Sequence, residues 1–271
     1  MKILEITSSQ NPKIKEVAAL LEKSKERRRQ GLFAVEGVRE IRACLHNGYN
    51  VRSIFYNSSI IASQEIESMF PAGERADVAL FSLSEGAYSK IAYRENTEGI
   101  VAVVEQKKVQ LGDIKFGRRW EKPLVLVVES VEKPGNLGAL LRTADACGVD
   151  AVLVCDPLTD LYNPNLIRSS LGGIFTNQVV ACSNGEALEW LRSNGINVLT
   201  AQLQDSQWYY DTDMVSPTAI VMGTESTGLT DFWREASNAK IKIPMLGELD
   251  SLNVSVSAAV LCYEAVRQRN L

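Results

Sequence analysis

Histidine is nearly absent from this chain of 271 residues: His46 is the single copy. A Ser-His-Asp triad, or any histidine general base, would have to be built from that one residue near the end of a predicted helix. Cysteine is sparse and shows no pairing pattern. Cys44, Cys147, Cys155, Cys182 and Cys262 are odd in number and widely spaced, with no CxxC, which excludes a disulfide framework. No His, Cys or carboxylate cluster has the spacing of zinc ligands, so no metal is expected. Long apolar runs are also missing. Leu124 to Val128 and Ala151 to Cys155 are strand-sized, well short of the ~18 residues that a membrane-spanning helix needs. The first residues, Met1 to Thr7, turn acidic and polar before an apolar signal region develops, and a cytoplasmic protein with no membrane partner is expected. Charge of one sign is not in excess: the net charge is −4, which confines any case for a nucleic-acid partner to local patches. Neither GxGxxG after the first strand nor GxxxxGK(S/T) occurs, which disfavours dinucleotide and P-loop nucleotide binding.

What is present can bury a core. With 45% hydrophobic and 23% charged residues the chain is globular, and at roughly 100 to 200 residues per domain two domains are expected. The spacing of Ile14, Val17, Ala18, Leu20 and Leu21 predicts an amphipathic helix from Asn11, ending in a basic run before Gly31. Short strands at Leu32 to Glu36, Ser53 to Tyr56, Val78 to Phe81 and Gly99 to Val104 alternate with helices, including Gln64 to Phe70 and Glu85 to Tyr93. Residues 1–107 thus form a small α/β domain, and the polar stretch 108–122 reads as a linker. In 123–271 the run Leu124 to Val128 has the continuous apolarity of a strand buried on both faces of a parallel sheet. Further strands are predicted at Ala151 to Cys155, Gln178 to Ala181, Asn197 to Ala201, Ala219 to Met222 and Lys240 to Ile243. The fold class is α/β with a largely parallel sheet.

Ligands in such sheets sit beyond the carboxyl ends of strands, and three post-strand loops are rich in glycine and polar residues. The first, Glu129 to Gly148, contains Pro134-Gly135-Asn136 opening a helix that carries Gly138 and Arg142. Alone, it is equally well an ordinary crossover with a capping Asn and a solvated Arg. The second, Gly223 to Gly228, flanks Glu225 with two glycines, a pattern that also suits a turn before a helix at Asp231 to Ala236. The third runs from Pro244 through Ser251, Leu252 and Asn253, and either Ser251 or Asn253 can cap the helix that follows.

In this order and at these separations the three loops resemble the signature motifs of the SpoU (TrmH-type) branch of the SPOUT methyltransferases, over roughly residues 123 to 269. That resemblance implies transfer of a methyl group from S-adenosylmethionine to a ribose 2′-hydroxyl of RNA, without a metal. It implies a deep trefoil knot and a homodimer packed through the C-terminal domain. It places Asn136, Arg142, Glu225, Ser251 and Asn253 in the catalytic set, and Gly223, Ile243 and Leu252, with Met222 and Met245 beside them, around the cofactor. Residues 1–107 are similar to the L30e-like substrate-binding domain of ribosomal RNA members of the branch. A guanidinium is ordinarily protonated up to pH ~12 or above, so Arg142 is expected to grip the hydroxyl and an adjacent phosphate while Glu225 and Asn136 hold it in place. Lys23, Lys25, Arg27, Arg28, Arg29, Arg39 and Arg42 are the expected phosphate contacts, Arg118 and Arg119 a second group, and Tyr88, Tyr93 and Arg94 are available for base stacking. The rival readings are a tRNA methyltransferase of the same branch and a noncatalytic RNA-binding protein with this fold. The N-terminal α/β domain favours ribosomal RNA, and intact Arg142, Glu225 and Asn253 favour an enzyme.

Overall fold

The computed structural model describes residues 3–70, 78–93, 98–224 and 227–270. The chain divides into two compact units, Met1–Lys108 with Asp160–Phe175, and Val109–Thr159 with Thr176–Leu271.

The first unit contains β1 (Ile3–Ile6), α1 (Pro12–Glu22), α2 (Ser24–Gln30), β2 (Leu32–Glu36), α3 (Val38–His46), β3 (Val51–Asn57), α4 (Ser63–Ser68), β4 (Ala79–Leu83), α5 (Glu85–Tyr88) and β5 (Ile100–Glu105). Its sheet has the order β1-β4-β3-β5-β2, with β5 antiparallel to both neighbours and the other pairs parallel. Helix α1 buries Ile14, Val17, Leu20 and Leu21, the face set by helical spacing. The basic run is a separate helix, α2, because the chain turns extended at Lys23 and then closes at Gly31, whose φ of +65° costs glycine little. The helix expected over Glu85 to Tyr93 ends at Tyr88, and the Tyr93 N–H is given to Glu36 Oε2 at 3.2 Å rather than to a helical carbonyl.

The second unit opens with β6 (Leu124–Glu129), α6 (Pro134–Cys147) and β7 (Ala151–Cys155). The chain then contributes α7 (Pro164–Ser169) to the first unit and forms α8 (Gly173–Thr176) at the return. There Asp160 accepts from Arg27 Nε at 2.6 Å, and Tyr162 and Phe175 stack on Phe33 with ring centroids 4.3 and 5.8 Å apart. The second unit continues with β8 (Val179–Cys182), α9 (Asn184–Ser193), β9 (Asn197–Ala201), β10 (Gln207–Trp208), β11 (Thr218–Met222), α10 (Asp231–Ala236), β12 (Ala239–Lys242) and α11 (Val254–Arg269). Its seven-stranded sheet has the order β10-β12-β9-β11-β6-β7-β8, and every strand pairing in it is parallel. Strands β6, β7 and β11 are buried along their whole length, as their unbroken apolarity requires. The stretch read as a polar linker belongs to this unit, because Val109, Leu111, Ile114 and Phe116 lie partly buried against its core. Helix α11 packs on α6 and β11. Its C-terminal end is fixed by Arg269, which donates to the carbonyls of Met214, Pro123 and Ser216 at 2.9, 3.1 and 3.1 Å. Within α11, Glu264 accepts from Arg267 and Gln268, and the Arg267 guanidinium holds its carboxyl below the ordinary value of 4.5.

Candidate active site

A cavity of about 310 Å³ lies at the carboxyl ends of β9, β11 and β12, where ligands bind in open parallel sheets. Six residues singled out from the sequence line it: Met222, Gly223, Ile243, Met245, Ser251 and Leu252. Its shape follows from the loop after β11. A Cβ at Gly223 would stand 2.2 Å from the Gly228 carbonyl carbon and 2.4 Å from the Leu229 nitrogen, so the loop folds back onto a position that admits no side chain. The fold-back is held by two backbone hydrogen bonds of 3.2 Å exchanged between Thr224 and Gly228, and by Thr227 N–H donating to Thr224 Oγ1 at 3.1 Å. Gly228 turns the chain at φ +68°, in the left-handed region. Glu225, the acid expected in this loop, lies outside the described residues.

The other two loops meet through a pair of asparagines. Helix α6 starts at Pro134, with Lys133 as its N-cap, so Asn136 sits inside the first turn rather than capping it. Its Oδ1 accepts from Asn253 Nδ2 at 3.3 Å. Asn253 is the cap of α11: its Oδ1 accepts from the Ser255 N–H at 3.0 Å and from Ser255 Oγ at 2.6 Å. Ser251 donates to Asp250 at 3.1 Å and faces the cavity. Arg142 is exposed on α6 and makes no hydrogen bond or ion pair among the described residues, so the expected hold on it by Asn136 is not made in this state.

One buried polar residue that holds the end of a site loop escaped the sequence reading. Glu129, 1% exposed, closes β6. Its Oε1 accepts from Asn184 Nδ2 at 2.8 Å and Thr230 Oγ1 at 2.7 Å, and its Oε2 from the Thr230 N–H at 2.9 Å. Asn184 in turn accepts from Trp233 Nε1 at 2.7 Å. The available signal was an acid ending an apolar run and directly preceding a site loop.

The expected phosphate contacts lie in the first unit and divide sharply. Lys23, Lys25, Arg28, Arg29, Arg39 and Arg42 are exposed, Arg29 sharing Glu26 as partner. Arg27 is 2% exposed; besides Asp160 it donates to the carbonyls of Leu20 and Leu21, so its cation holds α1 to α2 and is closed to a phosphate. Tyr88 is buried, Tyr93 is 41% exposed with its hydroxyl on Asn165, and Arg94 lies outside the described residues. In the second unit Arg118 spends both terminal nitrogens on the Thr176 carbonyl, and Arg119 lies over the Trp120 ring. His46 is exposed and all five cysteines are free thiols. Among the described residues no three His, Cys, Asp or Glu side chains gather as a metal site.

An all-parallel sheet whose post-strand loops enclose a cavity at their carboxyl ends is a ligand-binding α/β architecture, one that the SPOUT methyltransferases share. The chain belongs to the SpoU rRNA Methylase family, matched over residues 123–263, and residues 11–102 match the MRM3-like substrate binding domain. It is 29% identical to the 23S rRNA (guanosine(2553)-2′-O)-methyltransferase RlmP of Bacillus subtilis, across 96% of this chain and 98% of that one. The SpoU methyltransferase AviRb of Streptomyces viridochromogenes, solved in complex with AdoMet, superposes with a TM-score of 0.85 at 28% identity, covering 96% of this chain and 99% of that one. The TrmH/SpoU tRNA-modifying enzyme of A. aeolicus matches 56% of this chain and 78% of its own, at 27% identity and a TM-score of 0.50.

Proposed function

We propose that this chain methylates a ribose 2′-hydroxyl of 23S ribosomal RNA with S-adenosylmethionine. The observation that carries the proposal is the cavity at the ends of β9, β11 and β12, where main chain from loops expected to hold the cofactor comes together. The residues fit that cofactor: Met222, Ile243, Met245 and Leu252 supply apolar walls for a flat base, and the loop folded against Gly223 brings main-chain donors and acceptors to the cavity wall. When bound, the cofactor supplies an electrophilic methyl group on its sulfonium. The protein's own part is placement. The Asn136 and Asn253 side chains lock the start of α6 to the start of α11, and the exposed Arg142 guanidinium offers a planar fork to the 2′-hydroxyl and a neighbouring phosphate. Glu225 of the second loop, together with Asn136, orients that fork. Positioning of reacting groups can supply up to ~7 to 11 kcal/mol of barrier reduction.

Ribosomal rather than transfer RNA is supported by the full-length match to an enzyme named for 23S rRNA, whereas the tRNA-modifying structure matches only 56% of this chain. The first unit holds the RNA through exposed Lys23, Lys25, Arg28, Arg39 and Arg42. The protein works in the cytoplasm as a homodimer, joined through apolar residues that a single copy leaves exposed on and before α11, Leu246, Leu249, Val256 and Tyr263. The loops after β11 and β12 form a trefoil knot through which α11 returns onto β11.

The test is methyl transfer from labelled S-adenosylmethionine to separate, unmodified ribosomal and transfer RNAs, with nucleoside mass spectrometry of the product. A 2′-O-methylnucleoside in ribosomal RNA alone, lost in Arg142→Ala, is the expected result. Label in transfer RNA alone overturns the substrate assignment, and cofactor binding with no label in either supports the noncatalytic alternative.

A further inference from the structure

We infer that Glu129 is a positioning residue that sets the cofactor loop after β11. The inference rests on the methyltransferase reading of that loop. The loop begins where β11 pairs with β6, Met222 opposite Val128, and ends at Thr230, which gives both its N–H and its hydroxyl to Glu129, the next residue of β6. Both ends of the segment are therefore tied to two consecutive residues of one buried strand. Between them, Gly223, Thr224, Thr227, Gly228 and Leu229 line the cavity. Three further observations separate this arrangement from ordinary core packing. Burying a carboxyl group is costly unless every acceptor is met, and an apolar side chain at the end of β6 would incur no such cost. Thr230 is the N-cap residue of α10, yet its hydroxyl makes no cap bond and is turned to Glu129 instead. Capping contributes about 1 kcal/mol, so the helix forgoes a local stabilisation in favour of a bond made across the sheet. Finally, the third donor, Asn184, is itself oriented by Trp233 of α10, which ties the helix after the loop to the same carboxyl.

Glu129→Gln keeps size and shape but sets an NH₂ against the Thr230 N–H in one amide orientation and against the two donors that share Oε1 in the other. The experiment measures S-adenosylhomocysteine affinity by calorimetry, single-turnover methyl transfer at saturating cofactor, and melting temperature, for the full chain and for Glu129→Gln, Thr230→Val and Thr230→Ser. The expected result is at least a tenfold loss of affinity in Glu129→Gln and Thr230→Val, with Thr230→Ser within twofold of the parent. The rate lost on Glu129→Gln should also vanish when measured in a Glu225→Gln background, because the two residues act through one loop. Equal affinity in parent and Thr230→Val overturns the assignment. So does a rate loss that multiplies undiminished with Glu225→Gln, which is the signature of general destabilisation. A parent protein that binds no S-adenosylhomocysteine sinks the methyltransferase reading as well, whereas binding in the parent with unaffected variants sinks only the role given to Glu129.

Discussion

Replacing Gly223 by alanine tests how the cavity is built. The added Cβ would lie 2.2 Å from the Gly228 carbonyl carbon and 2.4 Å from its oxygen. Carbon atoms settle at ~3.5 Å or more, so the Gly228–Leu229 backbone must retreat by roughly 1.3 Å. Strand β11 cannot yield instead, because it is paired on both sides, to β6 and β9. The retreat stretches the two 3.2 Å bonds between Thr224 and Gly228 beyond useful length. At ~0.5 to 1.5 kcal/mol each, their loss alone is ~1 to 3 kcal/mol, the range also expected for overpacking a tight site. A destabilisation near 2 kcal/mol lowers the melting temperature by about 4 to 8 °C in a domain of this size. The displaced segment is a wall of the cavity, so affinity for S-adenosylhomocysteine falls by more than tenfold on the same shift. Scanning calorimetry with and without that ligand measures both quantities. A Gly223→Ala protein that melts with the parent and is equally stabilised by the ligand refutes the claim that backbone contact at this position shapes the site.

Arg142→Lys retains a cation but loses the planar fork, and single-turnover methyl transfer at saturating cofactor should fall about a hundredfold, the usual effect of losing one well-placed donor; near-full activity would contradict the role given to the fork. Asn253→Asp keeps the oxygen that caps α11 and loses the donor to Asn136, so stability should hold while activity drops, whereas Asn253→Ala should also cost about 1 kcal/mol in a denaturant titration. Glu264, whose carboxyl Arg267 holds below 4.5, binds fewer protons folded than unfolded in the acid range. Its stabilisation is complete above pH 4.5 and is lost as pH falls through the lowered folded value, so Glu264→Gln should flatten the acid limb of a stability profile and leave the neutral region parallel to the parent's.

Features generated by local periodicity were legible in the sequence. The apolar run of β6 marked a doubly buried strand, the spacing in α1 gave its buried face, and post-strand position directed attention to the loops that line the cavity. The roles of individual loop residues came from resemblance to a family, since Gly223 or Ser251 considered alone suits an ordinary turn. Features that depend on distant partners were not legible. Nothing near Arg27 announces Asp160, so the basic run predicts a cation free for phosphate where the structure closes it within the first unit. Glu129 depends on Asn184 and Thr230, 55 and 101 residues further along. The strand β1 is too short to show a pattern and is recruited by pairing with β4.

The first unit is assembled from two separated stretches of chain, and this bears on the order in which the molecule is made. Phe33 is completely buried, but two of the rings that stack on it, Tyr162 and Phe175, lie on the segment that follows β7. On a translating ribosome that segment emerges only after Lys108 and the whole β6-α6-β7 passage, a delay of roughly 3 to 13 s at ~5 to 20 residues per second. Arg27 waits longer still, through 133 residues, for the carboxylate of Asp160. The amino-terminal half therefore leaves the exit tunnel first yet closes its core only when two-thirds of the protein has been synthesised, and through that window its unfinished face is open to chaperones.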